Sequence, residues 1–229
     1  RGVTDLRDLR SDFPILDRQV SGKPLIYLDS AATTQKPRCV LRRMERYYES
    51  YNANVHRALH TLAAEATTAY EGARDAVAAY VNAWDRRGVI FTRNFTEAAN
   101  LVSYVWARTQ LREGEEILAT VAEHHSNLVP WQLAAQATGA SMRYLEVTED
   151  GELDLSDLTQ RLSHRTRLVA ITGMSNVLGT RMDLAPVIQA AHNMGALVFV
   201  DAAQLASHTA LDVQALDAEP RGVELARAQ

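Results

Sequence analysis

Four short segments hold residues able to grip an anionic ligand and to handle protons. They are RNFTEAAN around Thr96, VAEHHSN around His124 and His125, MSNVLGT around Asn176, and DAAQ, which contributes Asp201 and Gln204. Asn94 and Glu97 have the spacing of a capping box, the mark of a plain helix start. Such a start, with the Thr96 hydroxyl beside free backbone amides, can also cradle a phosphate, and the two readings are compatible. The histidine pair could be metal ligands, a general base, an aromatic platform or simple loop residues. Asp201 follows four apolar residues and falls at a strand tip, where a partly buried carboxylate needs a partner. It either caps the segment after the strand or faces a protonated pyridine nitrogen, keeping that ring an electron sink.

Other chemistries have less support. His56 and His60 are four residues apart, the spacing that would put two imidazoles on one helix face. The sequence is HRALH, however, without the glutamate of a zinc-protease helix, so the pair suits an interface or the edge of a site, and no metal site is expected. No GxSxG elbow, phosphate-binding Walker loop or GxGxxG fingerprint occurs, which leaves nucleotide hydrolysis and dehydrogenation without a basis.

The elements that must position these residues form a rhythm that begins near residue 87. Apolar runs at 88–92, 115–120, 141–147, 167–173 and 196–201 are rich in Val, Ile or Leu, as in strands buried on both faces. Helical patterns at 95–110, 126–138, 155–163 and 184–194 alternate with them. This is the pattern of a mostly parallel sheet with flanking helices, an α/β fold. Ligands in such sheets bind beyond the carboxyl ends of the strands, and all four segments fall there. Residues 1–85 differ, with helical stretches at about 37–51 and 61–82, and are expected to pack as an N-terminal segment on a large domain at 86–217. A further strand is due near 218, yet Glu-Pro-Arg-Gly appears, so 218–229 is expected to be a divergent polar tail.

The 229 residues carry 47% hydrophobic and 23% charged residues, ordinary for a globular protein. A net charge of −4 and the lack of a basic run argue against nucleic acid. No apolar run approaches the length of a membrane span, and the charged first residues lack a signal core. The single cysteine, Cys39, fits a reducing compartment, so the expected location is cytoplasmic. The absence of an initial Met hints at a processed or incomplete N-terminus. Only two of the 24 basic residues are lysines, Lys23 and Lys36.

Taken together, the segments YLDSAATTQKP (27–37), NVHRALHTLA (54–63), FTRNFTEAANLV (91–102), AEHHSNLVPWQ (122–132), SNVLGT (175–180), VDAAQLASH (200–208) and LDVQAL (211–216) resemble the class V aminotransferase family. Within it the chain is most similar to the cysteine desulfurase and selenocysteine lyase branch. The resemblance implies the large domain of a fold type I transferase that uses pyridoxal 5'-phosphate, with the C-terminal small domain missing. It also implies that Thr96 binds the cofactor phosphate, His124 stacks on the ring, Asp201 faces the ring nitrogen and Gln204 the phenolic oxygen. Asn176 would contact the cofactor or the substrate carboxylate. The Asp29–Ala32 loop, including Ala31 and Ala32, and His56 with Arg57 would lie at the edge of the site or at a homodimer interface.

The implied activity is removal of sulfur from L-cysteine, giving L-alanine and an enzyme persulfide for a sulfur-acceptor protein in iron–sulfur cluster assembly. A selenocysteine lyase, an epimerase-like member, or a non-catalytic remnant or binding protein are the alternatives. Departures from the family pattern bear on mechanism. Phe95 stands where a small residue or Thr is usual and is expected to crowd the phosphate loop, and Ala58 replaces a usual Gly. Family members continue into a Ser-Gly-His-Lys loop whose Lys forms the Schiff base, and later carry a nucleophilic Cys. Neither lysine matches that context and Cys39 does not match the nucleophile, so no catalytic residue is retained and the chain alone is expected to be inactive.

Overall fold

The computed structural model describes residues 9–216 and 223–226. The chain divides into two compact units at Asp75/Ala76. In the first unit a two-stranded antiparallel hairpin pairs β1 (Gln19–Val20) with β2 (Lys23–Pro24). Its turn uses Ser21 at φ 52° and Gly22 at φ 73°, the left-handed pair that matches strand twist in tight hairpins. Helix α1 (Arg38–Arg46) runs on into a wider π turn at Tyr47–Tyr51. Helix α2 (Thr61–Tyr80) follows a loop and crosses the division between the units.

The second unit is an open parallel sheet covered by helices. Its strands are β3 (Glu116–Thr120), β4 (Ser141–Leu145), β5 (Thr166–Thr172), β6 (Leu197–Asp201) and β7 (Val223–Ala226), in the order β4-β3-β5-β6-β7. Every pairing among them is parallel. Alternate side chains leave a strand on opposite faces, and here they separate two cores. Leu118, Val169, Ile171, Val198 and Val200 face α5 (Leu184–Asn193). Ile117, Leu168, Ala170 and Phe199 face α3 (Phe95–Val102) and α4 (Val129–Thr138). Helix α4 stops at Gly139, whose φ of 75° suits the left-handed residue that ends a helix, and a Cβ there would press on Glu113 at 3.2 Å.

Two sequence expectations need correction, and a third finds no partner among the described residues. Residues 88–92 join no strand of the sheet among the described residues: after a 3-10 turn at Arg86–Gly88 the chain runs on without regular structure, with Ile90 68% exposed. A strand needs a partner's ladder of hydrogen bonds, and none of the described residues offers one there. The helix expected at 155–163 is a single turn, Leu158–Arg161. Finally, within the stretch read as a polar tail, Val223–Ala226 continues the sheet, with Val198 opposite Val223 and Asp201 opposite Ala226. The strand comes after the Glu-Pro-Arg-Gly that seemed to cancel it. The rest of that tail lies outside the described residues. Among the described residues, no helix is long and apolar enough to cross a membrane.

Candidate functional site

Strand register assembles the carboxyl edge of the sheet. Asp201 ends β6 opposite Thr172, which ends β5. It is 6% exposed, and its Oδ1 accepts the Ala203 N–H at 2.9 Å. Burial pushes its carboxyl up to about 6, against the pull of that bond. Gly173 lets the two strand ends approach: its N–H donates to the Asp201 carbonyl at 2.8 Å, and a Cβ there would sit 2.6 Å from Leu205. Gln204, half-buried, opens the short helical turn Leu205–His208, and its carbonyl accepts from Ser207 Oγ at 3.0 Å.

The loop leaving β3 meets this edge through Glu123. One carboxyl oxygen accepts the Thr172 N–H at 2.8 Å and the Thr120 hydroxyl at 2.7 Å; the other accepts from Asn127 Nδ2. Burial pushes Glu123 up to about 7, the neighbouring charge of Asp201 adding to the effect and the three hydrogen bonds opposing it. His124 follows directly and is exposed, with Nδ1 2.6 Å from Ser126 Oγ and the Ser126 N–H donating to it at 3.1 Å. His125 lies edge-on to His124, ring centres 6.2 Å apart.

Helix α3 starts as the capping pattern predicts. Asn94 Oδ1 accepts the Glu97 N–H at 2.9 Å, and Glu97 reaches back to the Arg93 N–H at 2.6 Å. The first amides of any helix lack intrahelical acceptors, and exposed Thr96 adds its hydroxyl beside them. Phe95 does not crowd this loop. It is 4% exposed, with its ring centre 5.9 Å from that of Phe199, two residues before Asp201 on β6. An aromatic side chain at a helix start gains far more from the core than from the solvent side, so it points inward. Asn176 is exposed on a tight loop, where Ser175 Oγ accepts the Val177 and Leu178 N–H groups.

The remaining candidates belong to the first unit. Ala31 and Ala32 lie exposed on a turn in which the Ala32 and Thr33 N–H groups both donate to the Asp29 carbonyl. His56 and His60 are in the loop before α2, so their spacing does not place them on a helix face. His56 holds a left-handed φ of 62°, its N–H donating to Thr67 Oγ1 at 3.1 Å and its Nε2 lying 3.1 Å from Glu71. His60 Nδ1 accepts the Ala63 N–H at the start of α2. Arg57 is exposed, and Cys39 is exposed near the start of α1.

A cleft of about 740 Å³ opens beside α3, bordered by Arg93, Thr96, Tyr104, Arg108 and Leu133 among others. Of the candidate set, Thr96 borders it. Sequence reasoning passed over Glu123 altogether. It stood inside the His124 segment with nothing in its type or spacing to distinguish it from a solvated loop residue.

An open parallel sheet with polar groups gathered at its carboxyl edge defines a ligand-binding α/β domain. Residues 26–219 match the Aminotransferase class-V family, and the chain belongs to that family. A probable cysteine desulfurase from Streptomyces coelicolor is 52% identical over 223 residues, covering 95% of this chain and 53% of that protein. One from Vibrio cholerae is 48% identical, with 95% and 54% covered. Among solved structures, cysteine desulfurase CsdA from Escherichia coli superposes with a TM-score of 0.82 at 40% identity, covering 94% of this chain and 53% of that one. The apo cysteine desulfurase of Thermococcus onnurineus NA1 gives 0.86 at 35%, with 94% and 52% covered. The fold is thus that of the large domain of fold type I pyridoxal-phosphate transferases. The chain spans about half the length of the curated relatives it matches.

Proposed function

We propose that this chain is the pyridoxal 5'-phosphate-binding part of a cysteine desulfurase that acts on L-cysteine. The observation that carries the reading is Asp201: a carboxyl buried at a strand tip, engaged among the described residues by one backbone amide alone. Such a carboxyl fits a protonated ring nitrogen, which would supply the charge partner that burial demands. The residues present also fit the other ends of the cofactor. Thr96 and the first amides of α3 would hold the phosphate, Gln204 would orient the phenolic oxygen, and His124 would cover a ring face and exclude water. Asn176 would contact the cofactor or the substrate carboxylate. Bound pyridoxal phosphate supplies an electron sink for breaking bonds at the substrate amino acid.

Ala31, Ala32, His56 and Arg57 would border the substrate side or a homodimer interface in the whole protein. Its product sulfur would pass as a persulfide to an acceptor protein, serving iron–sulfur cluster assembly in the cytoplasm, a setting that the single cysteine suits. Lys23 and Lys36 are both in the first unit; Lys23 forms part of β2 and Lys36 donates to the Thr34 carbonyl at 2.9 Å. We assign neither to covalent cofactor attachment, and the 229 residues alone are expected to bind the cofactor without turning over cysteine.

The test is titration of the purified chain with pyridoxal phosphate, followed by borohydride reduction and intact-mass measurement. Saturable binding with no covalent adduct at a lysine is expected. No binding would remove the cofactor reading, and alanine formed from cysteine by this chain alone would overturn its assigned inactivity.

A further inference from the structure

We propose that Glu123 is a positioning residue that holds the His124 imidazole at the carboxyl edge of the sheet; that the ring covers a cofactor there rests on the function proposed above. The two residues are adjacent in the chain, and the bonds around Glu123 have directions that cannot be reversed. The indole N–H of Trp131, fully buried on α4, can only donate, and it does so to Asn127 Oδ1 at 3.0 Å. Asn127, also fully buried, must therefore turn its Nδ2 toward Glu123 Oε2. The Thr172 N–H likewise only donates, to Oε1. Two irreversible donors face the two carboxyl oxygens, so the side chain at 123 must accept on both.

A carboxyl meets this demand in either protonation state. Its one remaining hydrogen-bond partner among the described residues, the Thr120 hydroxyl, can donate to Oε1 or take a proton from it, since hydroxyls do both. An amide cannot, because its NH2 would face Asn127 Nδ2 or the Thr172 N–H. The chain of bonds ties the loop in two directions: into the core through Trp131, whose ring packs 5.0 Å from Phe199, and onto the end of β5, where Thr172 pairs with Asp201. His124 itself is held only by Ser126 among the described residues and its neighbour His125, so the placement of its ring follows from where Glu123 fixes the backbone.

The experiment follows the His124 imidazole by NMR in the full chain labelled at histidine nitrogen, before and after adding pyridoxal phosphate. In Glu123→Gln the His124 signals should shift and broaden while those of His192 and His208 stay in place. Cofactor affinity should fall about tenfold, with loss of its induced circular dichroism, the usual scale when a group that orients a ligand's contact is removed. Asn127→Asp provides a second arm: two carboxyls then face each other and can share a proton. Its His124 signal should match wild type at low pH, where a proton is held between the two carboxyls, and depart from it as rising pH removes that proton. Unchanged His124 signals in a folded Glu123→Gln chain, or an Asn127→Asp signal that tracks wild type at every pH, would overturn the proposal. If the signals respond but the wild-type chain binds no pyridoxal phosphate, the positioning stands and the cofactor reading falls.

Discussion

The two ends of this sheet each bury carboxyl groups, and they treat them in opposite ways. At the amino end Glu116 opens β3 at 4% exposure, with Arg165 at 2.8 Å, Arg143 at 3.6 Å and the Ser163 hydroxyl at 2.8 Å. At the carboxyl end, Asp201 and Glu123 receive hydrogen bonds from neutral groups alone, and no cation pairs with either among the described residues. A buried charge that already has its cations belongs to the architecture. One left with neutral donors is costly to ionise, as the upward push on both groups records, and that cost is recovered when a cationic ligand group arrives. In a parallel sheet the second kind belongs at the ligand edge.

The comparison can be broken most forcefully at the amino end. Replacing Arg143 and Arg165 together by Ala leaves Glu116 buried without a cation and should cost about 3–5 kcal/mol in denaturant unfolding. A loss under about 1 kcal/mol would mean that the two ends are equivalent. The carboxyl end should respond differently to Asp201→Asn, with stability of the cofactor-free chain unchanged or raised. Pyridoxal-phosphate affinity, read by fluorescence titration, should fall about 10- to 100-fold, the scale of one charge-assisted hydrogen bond.

A pH series sharpens the contrast further. Asp201 and Glu123 are held at about 6 and about 7, above their ordinary 3.8 and 4.5, so between about pH 4 and pH 7 the folded chain binds more protons than the unfolded one. Their contribution to stability is therefore fully present below about pH 4 and lost as pH rises toward 7. The melting temperature of Asp201→Asn should gain on wild type across that window, and added cofactor should shrink the gain. The smallest effect is expected at Thr96. Thr96→Val removes one hydroxyl and should weaken pyridoxal phosphate about threefold while leaving pyridoxal, which lacks the phosphate, unaffected.

Much of the fold was legible because buried parallel strands are short apolar runs, and 115–120, 141–147, 167–173 and 196–201 are such runs. The run at 88–92 has the same composition and no ladder among the described residues, since pairing depends on a partner distant in the chain that local composition does not report. The strand Val223–Ala226 is the reverse case, hidden behind a turn sequence. At the candidate site, the rule that ligands gather beyond strand ends singled out Thr96, His124, Asn176, Asp201 and Gln204. Glu123 escaped it because its partners, Thr172 and Asn127, come together only when β3, β5 and the start of α4 are packed.

By itself, then, the sequence determined the alternation of strand and helix, the capping of α3 at Asn94 and the family, all properties of local pattern and ordered motifs. Tertiary structure alone decided that Phe95 enters the core, that His56 and His60 leave the helix they seemed to share, and which carboxyls are paired. Those outcomes depend on burial and on groups far apart in the chain, and the free energy of a buried charge is set by neighbours that no stretch of sequence contains.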